Sequence, residues 1–479
     1  MLTYPAIDFP GAFPYRAFAK ETPPDYAFPW SERHLRCVWA DPAYRPAPLT
    51  AADGRIVTVV EPGYWNLEAG PDFLDAVLRV GPGECTIRGD IEIHIRPADW
   101  RHHGHAGDPR YRRVVAHVTY HDGTLPESDL PASVLQIALR TPLKSIPSFS
   151  FEGLDPSAYP FAVLSPSPPC ARVLQTWSPE RREGLLDSAG AERIRLKTGR
   201  IAQSVAETSA SQTLYEELMA GLGYKYNRAP FRKLARLVSL DCLRRETNGD
   251  SVSVYAVLAG VAGLLPAQNN PLWDAESRAF VRSLWDIWWK CRARWDDVAL
   301  QREEWTLSSL RPVNHPLRRL MAAAVLFTST PPLEERVLAN SLSSPEFCRN
   351  TSDILTRAGL DTFWSRREGL SGHRHPEPIA LIGQGRAAAL LTNVIIPWAS
   401  AITRTSPGPE VLAVLPGEDD NLHTRHTAHA LFGRDHNPAL YRRGLRQQGL
   451  LQIFHDFCLN SRNGCSECAF PTALSHQNL

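Results

Sequence analysis

Alternating hydrophobic and polar residues predict a group of strands in the N-terminal third of the chain. The alternation is strictest in residues 85–95, with Ile87, Ile91, Ile93 and Ile95 on one face and Asp90, Glu92 and His94 on the other. Shorter apolar runs at 56–60, 72–80 and 114–120 predict three more strands, and Ser31 is a candidate cap for a short helix before them. A polar segment, 99–112, separates the third strand from the fourth and is expected to be helical. The order helix, three strands, helix, strand predicts an α/β domain.

The pattern changes beyond residue 123. Prolines become frequent up to Ser165-Pro166-Ser167-Pro168-Pro169, which is typical of a domain boundary. The apolar period is then helical, with Leu214, Leu218 and Leu222 on one face, and a segment rich in His and Pro follows at 371–378. We therefore predict an α/β domain at 1–170, a helical domain at 171–370, and a C-terminal helical block with a cysteine-bearing tail at 371–479.

Composition and charge narrow the functional classes. Lys and Arg number 52 against 51 Asp and Glu, so any nucleic-acid site must come from local clusters rather than from overall charge. The apolar run 387–402 contains Thr392, Asn393, Pro397 and Ser400, which favours a buried helix over a membrane span. No pattern typical of a signal peptide appears near the N-terminus, and the nine cysteines are an odd number. These features predict a soluble, cytoplasmic chain with reduced thiols.

Acidic residues mark two neighbouring strands of the predicted domain. Gly70-Pro71-Asp72 opens one strand, and Glu92 lies in the middle of the next, two residues before His94. Carboxylates on adjacent strands suit a hard divalent cation such as Mg²⁺ or Mn²⁺, and Glu32 on the preceding helix is a candidate third carboxylate. The alternative is structural: Asp72 forms a turn, and the polar residues are the solvated face of an antiparallel sheet.

This pattern resembles the PD-(D/E)XK nuclease superfamily, whose core has the same element order, a Pro-Asp at one strand and an acidic-x-Lys on the next. The resemblance implies a restriction-endonuclease-like fold and metal-dependent cleavage of nucleic acid. Asp72 and Glu92 match the two acids, and Glu32 matches the acid on the helix. His94 stands where the superfamily has a Lys that positions or activates the attacking water, which leaves either an altered mechanism or an inactive site.

A wider stretch, 63–122, resembles a bacterial family known as domain of unknown function 2851. The matching residues include Asn66, Gly70 to Phe73, Glu92 to His94, Asp99-Trp100, His102 to His105 and Val115 to Val118, and the resemblance extends to 223–231 and 311–319. That family has no established activity. It implies a shared architecture and leaves the nuclease interpretation resting on the acidic cluster.

The C-terminal tail carries a second candidate metal site. His455-x2-Cys458-x6-Cys465-x2-Cys468 supplies four ligands of the kind that hold a tetrahedral zinc ion. The three cysteines also suit an iron-sulfur cluster if Cys37 or Cys170 supplies the fourth ligand. The alternative is that all of them are ordinary reduced thiols.

Two further groups of residues are ambiguous. Basic residues early in the helical region are candidates for phosphate contacts, but they also suit the solvated faces of helices paired with Glu180, Glu183 and Glu192; they include Arg181, Arg182, Arg193, Arg195, Arg232 and Lys233. The histidines at 102, 103, 105, 117 and 121 are typical of a solvated loop, although one of them is a candidate to orient a phosphate or serve as an outer metal ligand.

The leading hypothesis is a metal-dependent nuclease acting on DNA, in which Asp72 and Glu92 hold the metal and His94 orients or deprotonates water. The second hypothesis is a non-catalytic nucleic-acid-binding or assembly protein on a degenerate nuclease fold, which the missing Lys favours. A metal hydrolase of small molecules built on the histidine loop ranks last, because no His-Glu-x-x-His set occurs.

Overall fold

The computed structural model describes residues 15, 30–66, 70–83, 85–147, 149–160, 168–247, 249–267, 270–307, 310–371, 374–418, 422–459, 465 and 468–476. The chain forms two compact units. The α/β unit comprises the described parts of Arg16–Arg182, Asn421–Asn437 and Leu450–Leu479, and the helical unit comprises those of Met1–Tyr15, Glu183–Asp420 and Pro438–Gly449. This division differs from the three consecutive parts expected from sequence, because the tail belongs with the N-terminal sheet.

In the described part of the chain, the strands all lie before residue 140, and helices follow from there to the tail. The strands are β1 (Leu49–Thr50), β2 (Ile56–Glu61), β3 (Tyr64–Trp65), β4 (Phe73–Val80), β5 (Cys85–His94), β6 (Val114–Thr119) and β7 (Leu135–Ala138). The helices are α1 (Glu32–Ala40), α2 (Asp99–His102), α3 (Arg140–Lys144), α4 (Pro169–Leu174), α5 (Pro179–Glu207), α6 (Ala210–Leu222), α7 (Arg228–Leu237), α8 (Leu240–Thr247), α9 (Ser251–Val261), α10 (Ala275–Cys291), α11 (Pro316–Thr328), α12 (Leu333–Leu338), α13 (Glu346–Arg357), α14 (Gln384–Leu390), α15 (Ile396–Thr403), α16 (Pro409–Ala413), α17 (Leu422–Phe432), α18 (Gly444–Ile453) and α19 (Ala469–His476). Two π-helical turns cover Leu391–Ile395 and Phe454–Cys458.

One mixed sheet forms the centre of the α/β unit. Its strands lie in the order β1-β2-β4-β5-β6-β7, with β3 paired to β4. The pairs β2–β4 and β4–β5 are antiparallel, whereas β6 is parallel to β5 and β7 is parallel to β6. A parallel pair needs a crossover, which residues 95–113 provide, with α2 inside it. Five strands, of which β2, β4 and β5 are the three long ones, lie between α1 and α2, and two more follow. The α/β assignment is therefore confirmed, whereas the segment 99–112 that was expected to be helical forms an α-helix only at Asp99–His102.

The apolar residues of β5 and α1 meet in the core of this unit. Leu35, Val38 and Trp39 of α1 are fully buried, as are Ile91 and Ile93 of β5. The polar residues between those isoleucines are buried too: Asp90 is 3% exposed, and Glu92 and His94 are both 0% exposed. The second half of β5 is thus covered on both faces, which rules out the solvated-face interpretation of its polar residues.

Close packing of β5 against the start of β6 depends on Gly89. A Cβ atom at this position would lie 2.5 Å from the backbone oxygen of Arg113 and 2.3 Å from Cγ1 of Val115. We expect Gly89→Ala to destabilise the protein by about 1–3 kcal/mol, because the backbone of β6 cannot move away without breaking the ladder. Urea unfolding measures this loss. Gly153→Ala is the control, since a Cβ there meets nothing within 4 Å, and equal stabilities of the two variants would contradict the packing.

The helical unit has its own apolar core, so the mainly helical assignment of the remainder is confirmed. Helix α6 packs against α7, and α9 packs against α10 and α11. Inside this unit the carboxylate of Glu217 is buried between Arg200 and Arg232, at 2.6 Å and 3.0 Å from their nitrogens.

In the described part of the chain, one helical stretch, Gln384–Thr403, is long and apolar enough to cross a membrane; 67% of its most apolar window is buried inside the protein. A core helix of a soluble protein has the same properties.

Candidate metal centre

Four histidines and two carboxylates gather at the C-terminal end of β5. Alternate positions of this strand place Glu92 and His94 on one face, and the parallel neighbour β6 brings His117 opposite Glu92. The crossover then passes over this face and adds His103 and His105, which follow α2. Asp72 joins the group from the residue before β4. The sheet and its crossover therefore assemble side chains that are up to 45 residues apart in sequence.

The polar atoms of four of these side chains converge. Oε1 of Glu92 lies 3.3 Å from Nε2 of His94 and 3.2 Å from Nε2 of His105. Nε2 of His94 also lies 3.0 Å from Nδ1 of His103 and 3.3 Å from Nε2 of His105. The three ring nitrogens lie within 4.8 Å of one another, close enough to bind one metal ion, and Oε1 of Glu92 lies beside two of them.

The other nitrogen of His94 faces His117. Nδ1 of His94 lies 2.9 Å from Nε2 of His117. Burial, and then the nearby His94, lower the pKa of His117 to about 3, so the His117 ring is neutral. Burial lowers the pKa of His94, but the hydrogen bond with Glu92 and the charges of Glu32 and Glu92 raise it more, and the net direction is upward. A neutral His117 fixes the orientation of the His94 ring.

Asp72 lies beside this group with partners of its own. Its Oδ1 is 2.9 Å from Nε of Arg36 on α1, and its Oδ2 accepts a 2.9 Å hydrogen bond from the backbone of Ile93. Its backbone N–H donates to Oε2 of Glu92 at 3.1 Å, which leaves Oε1 of Glu92 directed at the imidazoles. Glu32 lies 3.4 Å from Arg36. The structure thus brings Asp72, Glu92, His94 and Glu32 into one region, and the metal-ligand role of Asp72 stays a prediction.

The sequence favoured a solvated loop for His103 and His105, with one of them a candidate outer ligand, and it did not predict that both rings approach His94. Gly104 between them has a left-handed φ of 73°, a conformation that glycine adopts readily and that turns the chain between the two rings. His105 is buried and stacks on Tyr111, with ring centroids 3.9 Å apart. The neighbouring His102 is exposed and faces Asp99 instead. The feature of the sequence that could have indicated this site is the pattern His103-Gly104-His105, in which a glycine separates two potential ligands.

Helix α1, which carries Arg36, begins with a cap that depends on pH. His34 and Ser31 form a reciprocal capping box, with the ring Nδ1 3.3 Å from the Ser31 backbone nitrogen. Burial lowers the pKa of His34 to about 4, so the unfolded chain takes up more protons than the folded one as the pH falls from about 6.5 to 4.

We expect this difference to remove about 3 kcal/mol of stability between pH 7 and pH 4, because the stabilising neutral ring is fully present only above about pH 6.5. His34→Gln keeps a capping acceptor and does not titrate. Urea unfolding of this variant should show a pH dependence that is smaller by about this amount. If the free energy of unfolding changed equally with pH in wild type and His34→Gln, the role of His34 in the pH dependence would be refuted.

The tail cysteines gather with Cys170 inside the α/β unit. Helix α4, which contains Cys170, packs against α17 and α19, and the π-helical turn that ends at Cys458 packs against α17. Burial, and then the charges of Cys458, Cys468 and Cys465, raise the pKa of Cys170. Cys37 instead lies on α1 beside Arg33 and Arg36. Of the two upstream cysteines considered from sequence, Cys170 is therefore the one near the tail.

The basic residues singled out from sequence have partners within the protein. Arg195 pairs with Glu192, Arg232 with Glu217, Lys233 with Glu304, and Arg193 donates to Gln448. Arg182 donates to the backbone oxygen of Trp177, and Arg181 lies over the ring of that tryptophan. These contacts are typical of structural side chains, and phosphate binding by them stays a prediction.

Comparison with known proteins places the chain in one family. No curated protein and no solved structure matches it. The model of the family described as protein of unknown function DUF2851 matches residues 32–412, which include the whole sheet, the histidine-carboxylate cluster and most of the helical unit. The chain belongs to the DUF2851 family.

Proposed function

We propose that this protein is a divalent-metal-dependent hydrolase of phosphodiester bonds, with DNA as its substrate. The observation that supports the proposal is the grouping of ring nitrogens of His94, His103 and His105 within 4.8 Å of one another, with Oε1 of Glu92 beside those of His94 and His105. A divalent ion at such a site supplies Lewis-acid polarisation of the phosphate and activation of water. The choice of phosphodiesters is supported by the three long strands β2, β4 and β5 between α1 and α2, with Pro71-Asp72 just before β4 and Glu92-x-His94 at the end of β5.

The remaining side chains of the cluster hold the donors in place. Arg36 neutralises Asp72, and Asp72 in turn fixes the end of β5 through the backbone of Ile93. The Asp72 backbone occupies one oxygen of Glu92, so its other oxygen keeps a single direction. His117 does the same for the ring of His94. Such outer contacts are the usual means of orienting groups that act on a substrate.

The donor set decides which ion fits. Mg²⁺ takes oxygen ligands almost exclusively, and three imidazoles do not match that preference, whereas Mn²⁺ and Zn²⁺ accept nitrogen. Of the two ions expected from sequence, Mn²⁺ is therefore the one that these residues suit. In the superfamily, the Lys at the position of His94 is a cation that lies beside the metal ligands. In this protein we propose that His94 is itself one of the ligands.

Cleavage assays test the proposal. Purified protein is incubated with end-labelled single- and double-stranded DNA and RNA, with Mn²⁺, Zn²⁺, Co²⁺ or Mg²⁺ in turn. We expect Mn²⁺-supported cleavage of DNA that Glu92→Gln abolishes and that His102→Ala, an exposed change in the same loop, preserves. No cleavage of any of these substrates with any ion would overturn the hydrolase.

The second candidate is a non-catalytic nucleic-acid-binding or assembly protein. The replacement of the superfamily Lys by His94 favours it, because the usual cation beside the acids is then missing. Binding of uncleaved DNA in a mobility-shift assay, at an affinity that Glu92→Gln leaves unchanged, would support this candidate.

We propose a second metal site, with a structural role, at Cys170, Cys458, Cys465 and Cys468. The three tail thiols lie near enough to Cys170 to raise its pKa, and four thiols are a donor set for zinc or an iron-sulfur cluster. We place the protein in the cytoplasm, where thiols stay reduced. His455, on the same π-helical turn as Cys458, was the ligand first expected from sequence.

Elemental analysis and the visible absorption spectrum of anaerobically purified protein distinguish these alternatives. Cys170→Ser is expected to lose the bound zinc or iron, because it removes one of four thiolates, whereas His455→Ala is expected to retain it. Cys85→Ser, an exposed cysteine on β5, is the control. Full metal content in Cys170→Ser together with loss in His455→Ala would restore the histidine as the fourth ligand.

A further inference from the structure

We infer that Glu92, His94, His103 and His105 form a mononuclear site selective for a first-row transition ion over Mg²⁺, and that this ion joins β5 to the crossover loop. The inference names the cofactor class of the proposed hydrolase and rests on that proposal only for the catalytic use of the ion. The binding itself follows from the positions and chemistry of the four donors.

Hydrogen bonding alone does not account for the convergence. Nε2 of His94 has three neighbours within 3.3 Å: Oε1 of Glu92, Nδ1 of His103 and Nε2 of His105. An imidazole nitrogen carries either one proton or one lone pair, so it can satisfy only one of these neighbours well. A cation placed between the four atoms satisfies all of them together, with each lone pair directed at the ion.

The spacing of the donor atoms agrees with this arrangement. Ligands 2.0–2.1 Å from a tetrahedral zinc ion are separated from each other by about 3.3 Å. The separations that involve His94 and Glu92 here are 3.0–3.3 Å, and the three ring nitrogens all lie within 4.8 Å of one another. Four contacts, those of His94 with the other three residues and that of Glu92 with His105, therefore already match the ligand spacing of such an ion.

The donors and their surroundings favour nitrogen-accepting metals. Three imidazole nitrogens and one carboxylate oxygen suit Zn²⁺, Fe²⁺, Co²⁺, Ni²⁺ and Mn²⁺, whereas Mg²⁺ prefers oxygen and water. The contact between Nδ1 of His94 and His117 leaves Nε2 as the coordinating atom, which is the usual arrangement around a ligating histidine. His105 is held by stacking on Tyr111.

The origin of the ligands links metal binding to local stability. Two ligands belong to β5, and the other two belong to the loop after α2, on either side of Gly104. An ion bound by both pairs cross-links the loop to the sheet, so its binding free energy stabilises the crossover. Trypsin has exposed cleavage points in this crossover at Arg101, Arg110 and Arg112, which makes the effect measurable without any substrate.

The experiment titrates chelator-treated protein with Co²⁺, Zn²⁺ or Mg²⁺ and follows the Co²⁺ visible spectrum, the thermal midpoint and cleavage in the crossover. His103→Ala is the main variant, because His103 is exposed and its loss leaves the core intact. His102→Ala is the matched control in the same loop. We propose that the tail cysteines bind metal as well. The quantity compared is therefore the number of metal equivalents that each variant loses relative to wild type.

At micromolar Co²⁺ or Zn²⁺, we expect wild type and His102→Ala each to bind one equivalent more than His103→Ala does. The affinity of the site for the ion should be at least tenfold weaker in His103→Ala. Zn²⁺, but not Mg²⁺, should protect the crossover from trypsin in wild type and His102→Ala, and neither ion should protect it in His103→Ala. Equal binding and equal protection in His103→Ala would overturn the inference.

The outcomes also separate this inference from the proposed function. Metal binding that depends on His103, without cleavage of any nucleic acid, leaves the site standing and refutes the hydrolase. Mg²⁺-supported DNA cleavage that His103→Ala does not change supports the hydrolase and refutes the histidine site.

Discussion

Glu92→Gln is expected to lower the rate of DNA cleavage by at least about a hundredfold while the protein stays folded. Glutamine preserves the volume of the side chain, and its carbonyl oxygen still accepts the hydrogen bond from the Asp72 backbone. Its amide group then replaces the charged oxygen that faces His94 and His105. Loss of an outer contact to a metal ligand typically costs ten- to a hundredfold, so loss of the ligand itself should cost at least as much.

Cleavage rates measured at saturating Mn²⁺, together with thermal unfolding, check this result. His102→Ala controls for changes in the crossover that do not touch the donors. A Glu92→Gln protein that cleaves DNA at the wild-type rate would remove the cluster from the reaction.

Arg36→Met is expected to destabilise the protein by about 3–5 kcal/mol, because it leaves the buried carboxylate of Asp72 without its cation. The ion pair has 7% and 0% of its side-chain surfaces exposed, so water cannot replace the lost guanidinium. Urea unfolding monitored by circular dichroism measures the change.

The double variant Arg36→Met/Asp72→Asn should recover most of this loss, since a neutral amide needs no cation and still accepts from the Ile93 backbone. If Asp72 were instead chiefly a metal ligand, Asp72→Asn alone would abolish metal binding at little cost in stability. The two roles of Asp72 are thus separated by measuring binding and unfolding on the same three proteins.

Much of the α/β unit was predictable because its longer strands show their period. Eight residues of β4 and ten of β5 suffice for the alternation to appear, and the polar segment after β5 indicated a helix before the next strand. The two-residue strands β1 and β3 are too short to have a period, and β7 lies within a proline-rich stretch. These strands form because an existing sheet offers them unpaired backbone groups.

The candidate site was predictable only in part. Glu92 and His94 were found because polar residues alternate with isoleucines on one strand. His103 and His105 were not assigned to the site, because their approach depends on the left-handed turn at Gly104 and on the path of the crossover. The pairing of Asp72 with Arg36 joins residues on α1 and before β4, a contact that only the packing of helix against sheet creates.

Anomalous diffraction from a crystal of the Co²⁺-loaded protein shows whether Glu92 and the three histidines hold a divalent ion. We predict a strong peak at the cobalt edge about 2 Å from Oε1 of Glu92, Nε2 of His94, Nδ1 of His103 and Nε2 of His105. A peak between Asp72 and Glu92 that the imidazoles do not contact, or no peak within the cluster at all, would show that the histidines do not bind the ion.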